Sequence, residues 1–342
     1  MSLHDSPNIS DNLISIDDAL TARGADVLVA DIVAGLRQTP RRISSMFFYD
    51  DRGSQLFEQI TALPEYYPTR TEKKLLRRFS RTDGAAFSDV DIVELGSGDC
   101  SKISLILDGV DREHLSSIRY VPVDVSRFAI EQSADSLAEK YPGLSIHGLV
   151  ADFLTQLDSI APGRKRLFCL LGSTIGNLSI DQRENFLRHL ADIMQPGDEF
   201  LLGIDLVKPV DVLEKAYNDS QGVTAEFNRN ILRVINKLAG TTFRPDRFDH
   251  VAFYRREESR IEMHLRANRD MEVVLPQQPP ETLHIRRGEM IHTENSHKFT
   301  IDGATDLLQS AGLQVRSHLK DGNHWFALLR AMAPPRGHYV GC

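Results

Sequence analysis

A doubly wound α/β domain joined to a second, mixed α+β domain is the architecture the sequence predicts, on three observations. Between residues 91 and 205, short apolar runs alternate with helical patterns every ~25–30 residues, the rhythm of a parallel sheet with crossover helices. The first three runs close on Gly96, Asp124 and Asp152, residues suited to strand-end turns that face a ligand. After Asp205 the alternation stops, and a last helix and two strands beyond residue 300 are placed to return to the first sheet.

The elements follow in order. Leu20, Val27, Leu28, Ile32 and Leu36 recur at helical spacing, so residues 16–36 are expected to be helix. Residues 63–71 carry two prolines around paired tyrosines and read as irregular but ordered chain. Five parallel strands are expected at 91–95, 120–124, 145–151, 167–171 and 200–205. Between the last two, Phe186, Leu187, Leu190, Ile193 and Met194 form one helix face, with Ser179 and Gln182 as its capping box and Pro196-Gly197 as its stop. Residues 210–240 read as helix. Residues 250–254 and 261–266 read as a hairpin over Glu257-Glu258-Ser259, and extended chain continues to about residue 299. A helix over 305–311 ends at Gly312, and strands at 314–319 and 325–329 follow. Residues 207–297 are therefore expected to be an insertion, after which the chain returns to the first sheet. Residues 1–16 and 332–342 read as flexible tails.

Composition narrows the class. The 342 residues are 41% hydrophobic and 26% charged, which excludes a largely disordered chain and a coiled-coil rod. No apolar run approaches the ~18–20 residues of a membrane helix, and the polar start lacks a signal core, so no membrane role and a cytoplasmic location are expected. A net charge of −8 is the opposite of a nucleic-acid binder's basic excess. Cys100, Cys169 and Cys342 form no CxxC pair, which argues for a reducing compartment and against structural zinc.

The turn Leu95-Gly96-Ser97-Gly98 follows an apolar strand and precedes a helix, where glycines admit a cofactor close to the backbone. Its spacing is GxGxxS, ending on Ser101, and on its own it is equally an ordinary strand-to-helix connection. Asp124 ends the next strand, where doubly wound folds place the acceptor for ribose hydroxyls. Asp152-Phe153 ends the third, offering a carboxylate for an adenine amino group and a ring for the base. Each aspartate alone is equally a solvated strand end; the glycine turn and the two aspartates at three successive strand ends together point to a nucleotide-like ligand. A closing antiparallel hairpin on a parallel sheet favours an S-adenosylmethionine methyltransferase over a dehydrogenase, and Ser101 in the loop agrees.

Five longer motifs carry a resemblance: Phe48-Tyr49-Asp50, Leu63-Pro64-Glu65-Tyr66-Tyr67-Pro68-Thr69-Arg70-Thr71-Glu72, Leu95-Gly96-Ser97-Gly98, Leu171-Gly172-Ser173-Thr174-Ile175-Gly176-Asn177-Leu178 and Ile291-His292-Thr293-Glu294-Asn295-Ser296. Through them, residues 17–331 resemble the histidine Nα-methyltransferases of ergothioneine biosynthesis, a family whose wider members act on other amines. The chain departs from the family loop at Asp99-Cys100, where Thr or Ala is usual. The resemblance implies a Rossmann-like S-adenosylmethionine domain over 71–206 plus 298–331, and a substrate-binding domain over 17–70 plus 207–297. It implies three successive methyl transfers to the α-amino group of L-histidine, giving hercynine; a monomer without a metal is expected. Carried over residue by residue, the substrate positions are Tyr66, Asn177, Tyr217, Met263, Glu294 and Ser296, with Tyr49 and Asn177 as catalytic residues beside the amine. The cofactor positions are Gly96, Lys102, Asp124, Asp152 and Phe153.

The residue chemistry is compatible with these roles. An in-line methyl transfer needs a positioned, unprotonated amine. The Asn177 amide donates and accepts, although Asn after Gly176 is also a common turn residue. Glu294 and Ser296, two apart on an extended segment, face the same way and match the two nitrogens of an imidazole; a solvated strand face would show the same spacing. Tyr217 and Tyr66 are equally suited to packing roles, and Met263 to a pocket wall. His284, His292 and His297 have no carboxylate or cysteine spacing that makes a metal site. Three rivals stay open: a methyltransferase for another amine, a cofactor-binding pseudoenzyme that scaffolds a partner, and a dehydrogenase.

Overall fold

The computed structural model describes residues 14–20, 25–84, 87–275, 277 and 279–333. In chain order the strands are β1 (Ile14–Asp18), β2 (Arg41–Arg42), β3 (Val90–Leu95), β4 (Arg119–Asp124), β5 (Ser145–Val150), β6 (Lys165–Leu170), β7 (Glu199–Asp205), β8 (Phe248–Arg255), β9 (Arg260–Ala267), β10 (Met271–Leu275), β11 (Glu281–Ile285), β12 (Met290–His297), β13 (Gln314–Lys320) and β14 (Phe326–Met332). The helices are α1 (Ala25–Arg37), α2 (Asp51–Ala62), α3 (Tyr67–Asp83), α4 (Ile103–Leu107), α5 (Arg127–Lys140), α6 (Ile180–Ile193), α7 (Val210–Tyr217), α8 (Val223–Ala239) and α9 (Ile301–Ser310).

One sheet runs in the order β1-β5-β4-β3-β6-β7-β14-β13. Its first six strands are parallel; β14 lies antiparallel to β7, and β13 antiparallel to β14. β3 and β7 are buried along their whole length, as expected of parallel strands covered on both faces. The strand order reverses at β3, between β4 and β6, so the carboxyl end of β3 is the crevice where open sheets bind ligands. Separate apolar cores line the sheet's two faces.

A third core joins α1, α2, α7 and α8 to the sheet β2-β12-β9-β8 and to the hairpin β10-β11. The chain leaves the large sheet at Asp205 and returns at Phe299. The two crossings are adjacent: the Phe299 amide donates to the Asp205 carbonyl at 2.9 Å, and Val207 to the Phe299 carbonyl at 2.9 Å. Among the described residues no helix is long and apolar enough to cross a membrane.

Local chemistry accounts for the motifs' shapes. Asp50 caps α2, its Oδ1 accepting from the Gly53 amide and from Asn230 Nδ2, each at 2.8 Å. A Cβ on Gly53 would stand 1.6 Å from the Phe48 carbonyl oxygen, so only glycine lets α2 start against the Phe48-Tyr49-Asp50 turn. The Ser179–Gln182 capping box on α6 is present with both reciprocal bonds.

Several expectations are corrected. The helix expected over 16–36 is a strand, β1, followed by α1. β1 pairs with β5, which moves residues 17 and 18 into the large sheet and takes 14–16 out of the expected tail. The remainder of that tail lies outside the described residues, as does 334–342, while Met332 ends β14 opposite Glu199. Residues 67–71 open α3, because Pro68 sits in the first turn, where a missing amide costs nothing. The helix expected over 210–240 is two helices. Asp219 accepts from the amides of Val223 and Thr224 at 2.9 and 2.8 Å, and Gly222 turns with φ of +73°.

Candidate active site

The Gly96–Gly98 turn leaves β3 with φ of +67° at Gly96 and +50° at Gly98, left-handed values natural to glycine. Asp124, at the end of β4, takes the Gly98 amide on Oδ2 at 3.0 Å and the Ser126 amide on Oδ1 at 2.9 Å. Its carboxylate therefore fixes the glycine turn as well as facing the crevice. Phe153 lies beside Gly96, where an added Cβ would meet the ring at 3.4 Å, and it meets Phe186 edge-on at 5.6 Å. Asp152 accepts from the Leu154 amide at 2.9 Å on Oδ1. The Ser97 hydroxyl is buried among this group with no partner in the protein. Lys102, in the turn before α4, lies 3.0 Å from the buried Glu72 carboxylate. A bare glycine turn, strand-end carboxylates, a ring beside the turn and an unpartnered hydroxyl form a donor and acceptor set suited to an adenosyl ligand.

A second group gathers across the crevice. Asn177 ends the short turn after β6, and its Nδ2 donates to Glu294 Oε1 at 3.1 Å. Glu294 lies on β12 opposite Met263 of β9. The register slips between His292 and Glu294, a bulge that re-aims the strand. The extra residue, Thr293, is tied down by its hydroxyl to Asn228 Oδ1 at 2.7 Å and to the Met263 carbonyl at 3.0 Å. Ser296 Oγ accepts from the Tyr217 hydroxyl at 2.7 Å. The Tyr66 ring lies 6.3 Å from that of Tyr217 and packs on the Met263 core. Tyr49 is 46% exposed and meets Phe57 and Phe227 edge-on.

The electrostatics single out Glu294 and Tyr49. Burial pushes the Glu294 carboxyl up to about 7, against the pull of Lys298. Desolvation of the Tyr49 hydroxyl, and then the charges of Glu294, Tyr217 and Asp124, raise its pKa, so it is a neutral phenol at any physiological pH. Tyr49 is therefore within electrostatic reach of both groups, of Asp124 in one and of Glu294 in the other.

The structure thus brings together Tyr49, Tyr66, Asn177, Tyr217, Met263, Glu294 and Ser296, and separately Gly96, Asp124, Asp152 and Phe153, with Lys102 engaged by Glu72. The sequence reading missed the polar residues behind the second group. Lys298 Nζ reaches Ser296 Oγ at 2.7 Å, Tyr217 Oη at 3.1 Å and Asp205 Oδ2 at 2.9 Å. Asp205 also accepts from Tyr67 at 2.7 Å and pairs with Lys208. Their signal was position: Asp205 ends a strand and Lys298 follows the last motif by two residues. The neighbouring histidines belong to other contacts, with His264 stacked on Phe253 and His284 paired with Glu272 on the surface. Among the described residues the one grouping with metal-ligand spacing is Asp111, Glu113 and His114, and none of the three belongs to either group of site residues.

The parallel sheet, its antiparallel last pair and the strand-end cluster at β3, β4 and β5 define a methyltransferase of the S-adenosylmethionine-dependent class. Comparison with known proteins makes this specific. The family described as histidine-specific methyltransferase, SAM-dependent, matches residues 28–333, and the chain belongs to that family. It is 44% identical over 283 residues to the histidine N-alpha-methyltransferase of Mycobacterium tuberculosis (strain CDC 1551 / Oshkosh), covering 83% of this chain and 88% of that protein. It is 42% identical over 316 residues to the histidine N-alpha-methyltransferase of Mycolicibacterium smegmatis, covering 92% and 94%. The ergothioneine biosynthesis protein 1 of Neurospora crassa is 32% identical over 297 residues, 84% of this chain and 32% of that one.

Proposed function

We propose that the protein transfers three methyl groups from S-adenosylmethionine to the α-amino group of L-histidine, producing hercynine for ergothioneine biosynthesis. The observation that carries this reading is the pair Glu294 and Ser296 on the bulged strand β12, held by Asn177 and Tyr217. A buried carboxylate that accepts and a hydroxyl that donates match the N–H and the bare nitrogen of a neutral imidazole. An indole lacks the bare nitrogen that Ser296 would donate to, and a phenyl ring matches neither group. The domain built from residues 25–70 and 207–297 closes the amino acid against the large sheet. The protein acts as a cytosolic monomer without a metal.

S-adenosylmethionine supplies an electrophilic methyl group on a sulfonium sulfur. Asp124 would accept from its ribose hydroxyls, Phe153 would pack on its base, Asp152 would accept from the adenine amine, and Gly96 and Lys102 complete its cradle. The protein's remaining task is to hold an unprotonated amine in line. Asn177 spends one N–H on Glu294 and keeps its Oδ1 for the substrate amine and its second N–H for the substrate carboxylate. Tyr49, a neutral phenol, accepts a hydrogen bond from the amine and guides its lone pair. Tyr66 and Met263 wall the pocket.

The test is mass spectrometry of the purified protein incubated with S-adenosylmethionine and the twenty common amino acids. The expected product is histidine bearing three added methyl groups. Methylation of another amino acid in preference to histidine would overturn the reading.

A further inference from the structure

Ser296 Oγ has two lone pairs and one proton. Both lone pairs are engaged: Lys298 Nζ donates to it at 2.7 Å and the Tyr217 hydroxyl at 2.7 Å. Lys298 in turn is saturated, its three protons going to Ser296 Oγ, Tyr217 Oη and Asp205 Oδ2. Tyr217 accepts from Lys298 and so has its own proton left for Ser296. Each step leaves one direction for the next hydrogen, and the chain ends with the Ser296 proton directed away from all three. Lys298 and Asp205 are both buried and sit at the two adjacent crossings between the large sheet and the inserted segment.

The geometry points to Lys298 as a positioning and specificity-determining residue, which with Tyr217 compels the Ser296 hydroxyl to act only as a donor. Resting on the proposed function, this selects the histidine ring in one neutral tautomer, with its bare nitrogen toward Ser296 and its N–H toward Glu294. A serine free to rotate would accept as readily as donate, and would tolerate either tautomer or a ring N–H in place of the bare nitrogen. Burial works against the charge on Lys298, and Asp205 and Tyr217 more than offset it, so the ammonium stays protonated and the ordering persists across the working pH range.

The experiment is a double-mutant cycle on kcat/KM for histidine, with S-adenosylmethionine saturating, using Lys298→Met, Ser296→Ala and the double variant. Lys298→Met keeps the side-chain length, and Asp205 keeps Lys208 and Tyr67 as partners. Each single variant is expected to lose about 10- to 100-fold, mostly in KM. In the Ser296→Ala background Lys298→Met is expected to lose less than about threefold, because the hydroxyl it orders is gone. Equal losses in both backgrounds would show that Lys298 acts through the fold alone and would overturn the inference. If Lys298→Met does not fold, the same cycle with Tyr217→Phe reads the second donor: coupling to Ser296→Ala supports the inference, and additivity overturns it. Wild-type protein that does not methylate histidine would sink the proposed function instead, which the first arm of the experiment establishes separately.

Discussion

Glu294→Gln should make the protein more stable, and only above a definite pH. Burial raises the Glu294 carboxyl from 4.5 to about 7. Below about pH 4.5 it is protonated in the folded and unfolded chains alike, and contributes nothing to the pH dependence. Between 4.5 and 7 the unfolded chain releases this proton while the folded chain keeps it, so stability falls as pH rises. Above 7 the buried carboxylate is charged, and its full cost, about 3 kcal/mol at most, applies at every higher pH. Glutamine has the same shape, still accepts from Asn177 Nδ2 and carries no charge. The stability difference between variant and wild type should therefore grow by about 2–3 kcal/mol from pH 5 to pH 8. Other groups that titrate in this range, such as Glu94, whose carboxyl burial raises to about 8, cancel in the difference. Urea unfolding of both proteins at the two pH values measures it. A difference that does not change between pH 5 and 8 would refute the claim that Glu294 is held desolvated in the site.

Three further outcomes follow from the same geometry. Asp124→Ala should weaken S-adenosylmethionine binding by ~1.5–3 kcal/mol in calorimetry, since it removes an acceptor and frees the Gly98 turn; unchanged affinity in a folded variant would remove Asp124 from the site. Asn177→Ala should slow methyl transfer on the order of 100-fold while cofactor affinity holds, because it releases both Glu294 and the substrate amine; near-normal turnover would make Asn177 a turn residue only. The rate of the first methylation should rise between roughly pH 7 and 9 as the substrate amine loses its proton, and the rise should persist in Tyr49→Phe at a lower rate, because the Tyr49 phenol does not ionise there; a flat profile in that variant would make Tyr49 the titrating group.

Much of the large sheet was legible because strands buried on both faces read as short, mainly apolar runs, as at 200–204, even where carboxylates interrupt them, as Asp91 and Glu94 do in Val90–Leu95. The capping box of α6 was legible for a different reason: its two residues lie three apart and need no distant partner. The break between α7 and α8 was masked by apolar spacing that continues from Leu213 and Tyr217 to Phe227 and Ile231, although Asn218-Asp219-Ser220-Gln221-Gly222 spelled a turn. Strand β1 is five residues long, and its partner β5 lies far along the chain, so nothing local announced it. The same holds at the site. Glu294 and Ser296 announced themselves by spacing and motif, while the bulge that aims them depends on Thr293 reaching Asn228 on α8. Asp205 and Lys298 meet only because the chain leaves and re-enters the sheet side by side, and no sequence pattern encodes that meeting.

The central claim is that Glu294 and Ser296 read an imidazole. Its most direct test is the ratio of kcat/KM for histidine to that for phenylalanine, measured in wild type and in Glu294→Ala. Removing the carboxylate takes away a charge-assisted bond to the ring N–H, so histidine should lose ~2–3 kcal/mol of transition-state binding. Phenylalanine has no ring N–H to lose and should change little or gain, because the pocket becomes larger and less polar. The ratio is predicted to fall by roughly 30- to 150-fold. A ratio that is the same in wild type and variant would mean that Glu294 does not touch the ring, and the substrate of this methyltransferase would have to be sought among other amines.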